Sequence, residues 1–397
     1  MNIIAQNPSS NDPVDKGIAT YLDEIIALRH DLHQYPELAF QELRTSKLVA
    51  SRLSSWGYEV ATGIAGTGIV ATLRRGEGKK RIGIRADMDA LPIEEATGLP
   101  YASTAPGKMH ACGHDGHTAM LLGAARYLAE TRAFDGTAVF IFQPAEEGLG
   151  GARAMLADGL FQRFPCDEVY GLHNWPNGPR GKVTMRAGAA MAAADFFDIR
   201  IKGQGAHGAH PDQSRDPAVI AMTLGQAMQT IVSRNADPLK AMVVSITQIH
   251  TGSAYNVIPD TAHLAGTIRT FDGAMRELAR TRVRELAAGI AAAFGATIEV
   301  DIRDIFSVLH NHDAQTAAAE ETAVELFGRD NVETGVAPKM GSEDFADMLQ
   351  AVPGAYVWLA GTPGPALHNP SYCFDDAILP LGAALLARLV EKRSAAA

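Results

Sequence analysis

The feature that most constrains this chain is a short segment in which one cysteine and three histidines crowd around two glycines. Residues 109–117 are MHACGHDGH. Thiolate and neutral imidazole are preferred ligands of zinc and similar divalent ions, and burying four such groups without partners would be costly. The glycines allow the backbone to turn sharply enough to point Cys112 and His114 at one ion. Apolar residues follow at helical spacing over 118–130, which predicts a metal-binding loop that opens a buried helix.

A second interpretation of this segment makes Cys112 a nucleophile with a neighbouring histidine as its base. That chemistry requires one thiol and one base. It leaves the acidic groups that occur later in the chain without a role.

Side chains that can bind metals or act as acids and bases also follow four short, apolar, predicted strands. The strands are 81–86, 138–142, 168–172 and 355–360, and the side chains after them are Asp87 and Asp89, Glu146 and Glu147, His173, and His368. In open α/β sheets, ligands bind at the edge formed by the carboxyl ends of the strands. The sequence therefore predicts that these four segments meet at one site.

The adjacent glutamates Glu146 and Glu147 follow a strand that is typical of a fully buried position. Adjacent side chains diverge, so one can bind a metal while the other meets the water that attacks the substrate. The alternative is a pair that caps the helix predicted at 151–158.

The aspartates of the first strand end also allow two interpretations. Carboxylates at such positions commonly cap turns. They can also orient a metal-bound histidine, and we assign this role to Asp89.

The pattern of elements changes between residues 187 and 305. Strands are predicted at 196–202, 241–249, 262–270 and 296–302, and helices at 216–233 and 273–294. The order β-α-β-β-α-β is that of small ferredoxin-like domains. We therefore predict a metal-binding catalytic domain made of 1–186 and 306–397, interrupted by a lid or dimerisation domain at 187–305.

Three polar residues of the insert could contact a substrate, although each alone is typical of a loop or surface. They are His207, Asn256 and Arg269. Together they offer an imidazole donor, an amide and a guanidinium, which suit a carbonyl oxygen and a carboxylate.

Composition and charge exclude several classes of protein. The formal net charge is −10 without a basic block, so nucleic acid is not an expected partner. Three scattered cysteines do not form a disulfide framework and fit a reducing compartment. No run approaches the roughly 20 apolar residues of a membrane span, and residues 1–17 are too polar for a signal peptide. A cytoplasmic protein that acts on a small molecule is expected.

Five strings in this order resemble a known family. They are DMDALP at 87–92, HACGHDGH at 110–117, QPAEEG at 143–148, NVIP at 256–259 and LHNP at 367–370. They resemble the aminoacylase/carboxypeptidase-G metallohydrolases, in the branch of hippurate hydrolases and N-acyl-amino-acid amidohydrolases. The resemblance implies a zinc-exopeptidase-like α/β catalytic domain with a mixed central sheet, interrupted by the ferredoxin-like domain.

The resemblance also implies roles for individual residues. The implied ligands of two divalent ions, zinc or manganese and sometimes cobalt or nickel, are Cys112, His114, Glu147, His173 and His368. Glu146 matches the catalytic base, and His207 matches the histidine presented to the substrate carbonyl, often across a dimer interface. Asn256 and Arg269 match groups that hold the amino-acid end of the substrate. Five protein ligands are few for two ions, so solvent has to bridge them, and the thiolate can bridge them as well.

The expected activity is metal-dependent hydrolysis of N-acyl-L-amino acids to a carboxylic acid and a free amino acid, by a homodimer or homotetramer. Glu146 would take a proton from the attacking water and pass it to the leaving amine. A dipeptidase or carboxypeptidase with the same metal centre is the nearest alternative. A metal-independent cysteine hydrolase and a non-catalytic binding protein are further alternatives. The adjacent glutamates argue against the binding protein, since a storage site needs no free base.

Overall fold

The computed structural model describes residues 12–394. Positions 1–11, which include most of the segment examined for a signal peptide, and positions 395–397 of the predicted catalytic domain lie outside the described residues. The chain divides into two compact units. The larger unit comprises Met1–Ala190, His310–Ala337 and Asp344–Ala397, and the smaller unit comprises Met191–Leu309 and Pro338–Glu343. In the smaller unit, the segment Met191–Leu309 begins and ends four residues later than the predicted insert, 187–305. The role of the insert as a lid or dimerisation domain stays a prediction.

Helices and strands are both present in each unit. In chain order, the helices are α1 (Pro13–Ala19), α2 (Leu22–Gln34), α3 (Leu43–Ser55), α4 (His114–Thr131), α5 (Gly151–Ala157), α6 (Leu160–Arg163), α7 (Pro217–Thr230), α8 (Gly273–Phe294), α9 (Asp313–Phe327), α10 (Phe345–Ala351) and α11 (Leu379–Ser394). The strands are β1 (Glu59–Ile64), β2 (Gly68–Arg75), β3 (Arg81–Asp87), β4 (Gly136–Gln143), β5 (Glu168–Trp175), β6 (Val183–Met185), β7 (Gly188–Met191), β8 (Ala193–Lys202), β9 (Ala206–His207), β10 (Met242–Thr251), β11 (Val257–Ile258), β12 (Thr261–Thr270), β13 (Thr297–Phe306), β14 (Leu309–Asn311), β15 (Val332–Thr334) and β16 (Gly354–Ala360).

Within residues 12–394, eight strands of the larger unit form a mixed sheet in the order β1-β2-β4-β3-β5-β16-β6-β15. Strands β4, β3, β5 and β16 are parallel neighbours, whereas β1, β2 and β6 pair antiparallel to their neighbours β2, β4 and β16. The four parallel strands therefore end at the same edge of the sheet. The predicted α/β class with a mixed central sheet is confirmed.

The register of the parallel strands aligns the predicted site segments. Asp87 at the end of β3 pairs with Gln143 at the end of β4. His173 on β5 pairs with Trp358 on β16. The prediction that His173 follows its strand is wrong, because pairing of β5 with β16 continues as far as Trp175. The imidazole nevertheless lies near the carboxyl end of β5.

The core of the larger unit surrounds α4, which is buried along most of its length. A helix that is apolar on nearly all faces needs cover on every side. The sheet, α2 and α11 provide this cover. Gly116 permits close packing, since a Cβ atom there would lie 2.2 Å from the ring of Phe374. The loop that starts α4 is thus anchored in a rigid core.

The smaller unit contains a four-stranded antiparallel sheet in the order β10-β12-β8-β13. Helices α7 and α8 pack on it. Buried side chains alternate along β8 at Phe197, Ile199 and Ile201, as expected for a sheet with one covered face. The chain order β8-α7-β10-β12-α8-β13 is the predicted βαββαβ pattern.

Within residues 12–394, no helix combines the length and the apolar character that crossing a bilayer requires.

Candidate metal centre

His114 is the first residue of α4 and follows Gly113, whose φ of 93° allows the sharp turn predicted for this loop. Its Nδ1 atom lies 2.9 Å from the backbone oxygen of Asp89 and 3.2 Å from Asp89 Oδ1. An Nδ1–H that donates to Asp89 leaves Nε2 as the free ligand atom. The second carboxylate oxygen of Asp89 accepts from the backbone N–H of Glu147 at 3.0 Å. Asp89 therefore contacts two of the candidate ligands.

Electrostatics around His114 favour a cation. Burial alone would lower the pKa of His114, but the neighbouring carboxylates of Asp87, Asp89 and Glu147 outweigh it and raise the pKa to about 10. The negative potential that holds a proton on this ring would also attract a divalent ion.

Cys112 and His173 meet at the same place. The Cys112 Sγ atom lies 3.4 Å from His173 Nε2, and His173 Nδ1 lies 2.7 Å from the backbone oxygen of Asn174. Burial, together with Glu147 and Glu146, raises the pKa of the Cys112 thiol well above its usual range. A metal-independent nucleophile would need the thiolate that these carboxylates disfavour, whereas a divalent cation among them would stabilise it.

His368 reaches the cluster from the loop after β16. Its φ of 65° is unusual for a residue with a side chain, and its backbone N–H donates to the oxygen of Ala111 at 2.8 Å. This bond ties the His368 loop to the Cys112 loop. His368 Nε2 lies 3.2 Å from Glu147 Oε1, and its side chain is 52 % exposed.

The candidate ligand atoms form overlapping groups whose members lie within 4.8 Å of one another. Three of these groups are Cys112, His114 and His173; Cys112, Glu147 and His368; and His114, Glu146 and Glu147. The structure therefore brings together all five predicted ligands and the predicted base. Cys112 belongs to two of these groups, so its sulfur can be shared between two ions.

Two buried atoms of the cluster support a metal ion at this place. Within the described residues, neither His114 Nε2 nor Glu147 Oε1 makes a hydrogen bond, although His368 Nε2 lies 3.2 Å from Glu147 Oε1. Buried polar atoms normally have one, and an ion between them would satisfy both. Sulfur, imidazole nitrogen and carboxylate oxygen are donors that zinc accepts. The residues present fit a divalent metal centre.

His117, the third histidine of the segment, is engaged elsewhere. Its Nδ1 atom lies 2.6 Å from Asp87 Oδ1, and its Nε2 accepts from the backbone N–H of Asn174 at 3.0 Å. Asp87 is also held by Arg85 at 2.8 Å. Burial would raise the pKa of Asp87, but His114, Arg85 and His117 together hold it well below its usual range.

Arg85 is the main functional neighbour that the sequence analysis missed. It is 1 % exposed and donates to Asp87, to Gln143 at 2.8 Å and to Asp344 at 3.2 Å. Asp344 in turn accepts from the backbone N–H of Ala152 in α5 at 2.9 Å. The available signal was a charged residue inside the mostly apolar run 82–86, because a charge buried in such a strand requires charged partners.

A second buried ion network lies under the start of α4. Asp115, which directly follows His114, accepts from Arg29 at 3.0 Å and lies 2.8 Å from His33 Nδ1. Burial opposes the charge on His33, but Asp115 and Glu95 outweigh it and raise the pKa of His33 to about 9. Two residues of α2 thereby anchor the first turn of α4.

The three predicted substrate residues belong to the smaller unit. His207 on β9 pairs with Val257 on β11, and the N–H of Gly208 donates to the oxygen of Asn256 at 2.8 Å. His207 and Asn256 are therefore neighbours.

Arg269 lies on β12, where it donates to Ser342 Oγ at 2.5 Å and to Thr267 Oγ1 at 3.1 Å. Among the described residues, no hydrogen bond joins Arg269 to His207 or Asn256. The roles of all three stay predictions.

The parallel strands of the mixed sheet bring thiol, imidazole and carboxylate groups to one edge, beside the buried carboxylate of Glu146. Such a site defines a metallohydrolase. The model of peptidase family M20/M25/M40 matches residues 83–392, and the chain belongs to this family. It is an enzyme, a metal-dependent amidohydrolase. The predicted family resemblance is confirmed.

Similar proteins match nearly the whole chain. Hippurate hydrolase of Campylobacter jejuni is 45 % identical over 369 residues, which cover 93 % of this chain and 96 % of that protein. N-acetylcysteine deacetylase of Bacillus subtilis is 40 % identical over 377 residues, with coverage of 94 % and 97 %. The crystal structure of the Bacillus subtilis YXEP protein, described as a dinuclear metal-binding peptidase from the M20 family, superposes with a TM-score of 0.81. It is 35 % identical and covers 94 % of this chain and 98 % of that one.

Proposed function

We propose that this enzyme hydrolyses the amide bond of N-acyl-L-amino acids of the hippurate type, releasing a carboxylic acid and a free amino acid. The observation that carries the proposal is the overlap of the ligand groups around Cys112 with Glu146 beside them. Similarity to a hippurate hydrolase and to an N-acetylcysteine deacetylase supports the substrate class.

Two divalent ions would be held by the overlapping groups. Cys112, His114 and His173 would hold one ion, and Cys112, Glu147 and His368 would hold the other, with the thiolate shared. Zinc or manganese fits these donors, and cobalt or nickel is an alternative. When bound, such ions acidify water and polarise a carbonyl group.

The side chains then perform the proton transfers. The Glu146 carboxylate accepts a proton from the attacking water as the new C–O bond forms, and it delivers that proton to the amide nitrogen as the C–N bond breaks. His207 would donate a hydrogen bond to the substrate carbonyl oxygen. Arg269 and Asn256 would bind the free α-carboxylate, which excludes cleavage inside a polypeptide.

Replacing each member of the glutamate pair in turn tests this assignment. Glu146→Gln should retain the metal and lower turnover of N-benzoylglycine by roughly 10²- to 10⁴-fold. Glu147→Gln is the matched variant and should lose metal as well as turnover. Near-normal turnover in the Glu146 variant would overturn the proposal.

A dipeptidase or carboxypeptidase is the second candidate, because the similar YXEP structure is described as a peptidase. Rates on N-benzoylglycine, N-acetyl amino acids and unblocked dipeptides separate the two. Preference for an unblocked dipeptide would favour the second candidate. A metal-independent cysteine hydrolase would survive exhaustive chelation, and a binding protein would retain the substrate without turnover.

The assembly and location that we propose are a homodimer or homotetramer in the cytoplasm. Mass photometry of the purified protein tests the first proposal, and fractionation of the source cells tests the second.

A further inference from the structure

A buried carboxylate outside the metal centre lies against the loop that carries Glu146. Glu42 immediately precedes α3 and is 0 % exposed. Its Oε1 atom accepts from the backbone N–H groups of Phe40 and Ala145, both at 3.0 Å. Its Oε2 atom accepts from the hydroxyl of Thr67 at 2.6 Å. Nothing in the proposed reaction uses this carboxylate.

The residue that Glu42 holds has an unusual backbone. Ala145 has a φ of 54°, in the left-handed region, where the Cβ atom of an L-residue crowds the following carbonyl oxygen. Gly148 and Gly150 supply the other positive φ angles of this loop without that crowding. The carbonyl of Ala145 is also fixed, because it accepts from the N–H of Gly151 at 3.0 Å. Both peptide groups of Ala145 are therefore held.

The conformation of Ala145 determines where the next side chain points. Glu146 is 6 % exposed, and its carboxylate lies within 4.8 Å of the ligand atoms of His114 and Glu147. A rotation of the Ala145 backbone would swing this carboxylate away from the cluster. A displacement of a reacting group by about 1 Å can lower the reaction rate roughly 10²-fold.

We propose that Glu42 is a positioning residue that holds Ala145 in its left-handed conformation and thereby aims the carboxylate of Glu146. The inference rests on the proposed function, in which Glu146 transfers the proton. It assigns a share in the rate of the chemical step to Glu42, which precedes Ala145 by 103 positions in the sequence.

The hydrogen-bond chemistry of position 42 provides a sharp test. A glutamine retains an oxygen that accepts from both backbone N–H groups, and the hydroxyl of Thr67 can reverse its role. A methionine has a similar length and no such acceptor. Glu37 provides a matched control, because its carboxylate accepts from the N–H groups of Arg44 and Thr45 in the same helix α3, at 3.0 Å and 2.8 Å.

The experiment measures kcat, KM and metal content of the holoenzyme on N-benzoylglycine for five variants. They are E42Q, E42M, E37M, E146Q and the double variant E42M with Ala145→Gly. We expect E42Q to keep kcat within about twofold and E42M to lose roughly 10- to 100-fold in kcat, with KM and metal content unchanged. Glycine at 145 should restore most of kcat in the E42M background, since it adopts positive φ without help.

The outcomes distinguish this inference from the proposed function. If E146Q remains active, the proposed function fails. If E146Q is inactive while E42M matches E37M, only the role of Glu42 fails. Loss of metal or a change confined to KM in E42M would also overturn it.

If E42M does not accumulate as folded protein, Thr67→Val carries the test. This variant removes one hydrogen bond that orients Glu42, and kcat should fall about fivefold. An unchanged kcat in that variant overturns the inference.

Discussion

The pair formed by His33 and Asp115 predicts a specific pH dependence of stability. The pKa of His33 is raised from 6.5 to about 9 in the folded protein. Because the folded-state pKa exceeds the unfolded value, the contribution is fully present below pH 6.5 and is lost as the pH rises through 9. The pKa of Asp115 is depressed despite its burial, chiefly by His33 and then Arg29, so its own contribution is lost only in acid. The window for His33 is therefore pH 6.5–9.

The magnitude follows from the size of the shift. At about 1.4 kcal/mol per unit of pKa, the charged form of His33 contributes about 3 kcal/mol to the free energy of unfolding below pH 6.5. With an unfolding entropy of roughly 2 cal/mol/K per residue, loss of this contribution lowers the unfolding midpoint of the larger unit by about 5 °C.

The informative variant is His33→Asn. The asparagine amide replaces the Nδ1–H that faces Asp115, which lies 2.8 Å away, but it does not titrate. The midpoint of thermal unfolding is recorded by calorimetry at several pH values from 6 to 9.5, with the same metal content in both proteins. From pH 6 to pH 9.5, the unfolding midpoint of the wild-type protein should fall about 5 °C more than the unfolding midpoint of the variant. Other titrating groups are common to both proteins and cancel. Parallel profiles for the two proteins would refute the reasoning.

Three further predictions concern the metal centre and the packing around it. Cys112→Ser should reduce the binding of both ions, whereas His368→Ala should reduce the binding of one. Metal content is measured by mass spectrometry, and equal losses of metal in the two variants would contradict a sulfur shared between the ions. Arg85→Met removes the guanidinium that two buried carboxylates share and should lower the free energy of unfolding by roughly 3–5 kcal/mol in denaturant titrations. Gly116→Ala should destabilise the protein by roughly 1–3 kcal/mol because its Cβ would meet an aromatic ring at 2.2 Å. In contrast, Gly289→Ala in α8, where a Cβ meets nothing within 4 Å, should stabilise by roughly 0.5–1 kcal/mol; the same sign for both glycine variants would contradict this packing argument.

The sequence predicted the parts of the fold that depend on local pattern. Short apolar runs marked β3, β4, β5 and β16, and the βαββαβ order of the insert followed from its alternation of apolar residues. Chemistry-bearing residues at the ends of parallel strands had to converge once those strands were neighbours, because parallel pairing aligns their carboxyl ends.

The contacts that orient the site could not be predicted in the same way. Arg85 reaches Asp344 across 259 positions, and Glu42 reaches Ala145 across 103. Such pairings depend on which elements pack together, and no local periodicity encodes them. The left-handed backbone of Ala145 is likewise invisible in the sequence, since alanine ordinarily favours the right-handed region.

We propose that side chains from four distant segments hold a pair of divalent ions through a shared cysteine. The most direct test is the number of divalent ions per chain, determined by inductively coupled plasma mass spectrometry on a sample whose hydrolysis of N-benzoylglycine is measured at the same time. We expect activity to rise with metal content and to be complete at two ions per chain. A fully active sample without a transition metal would contradict it.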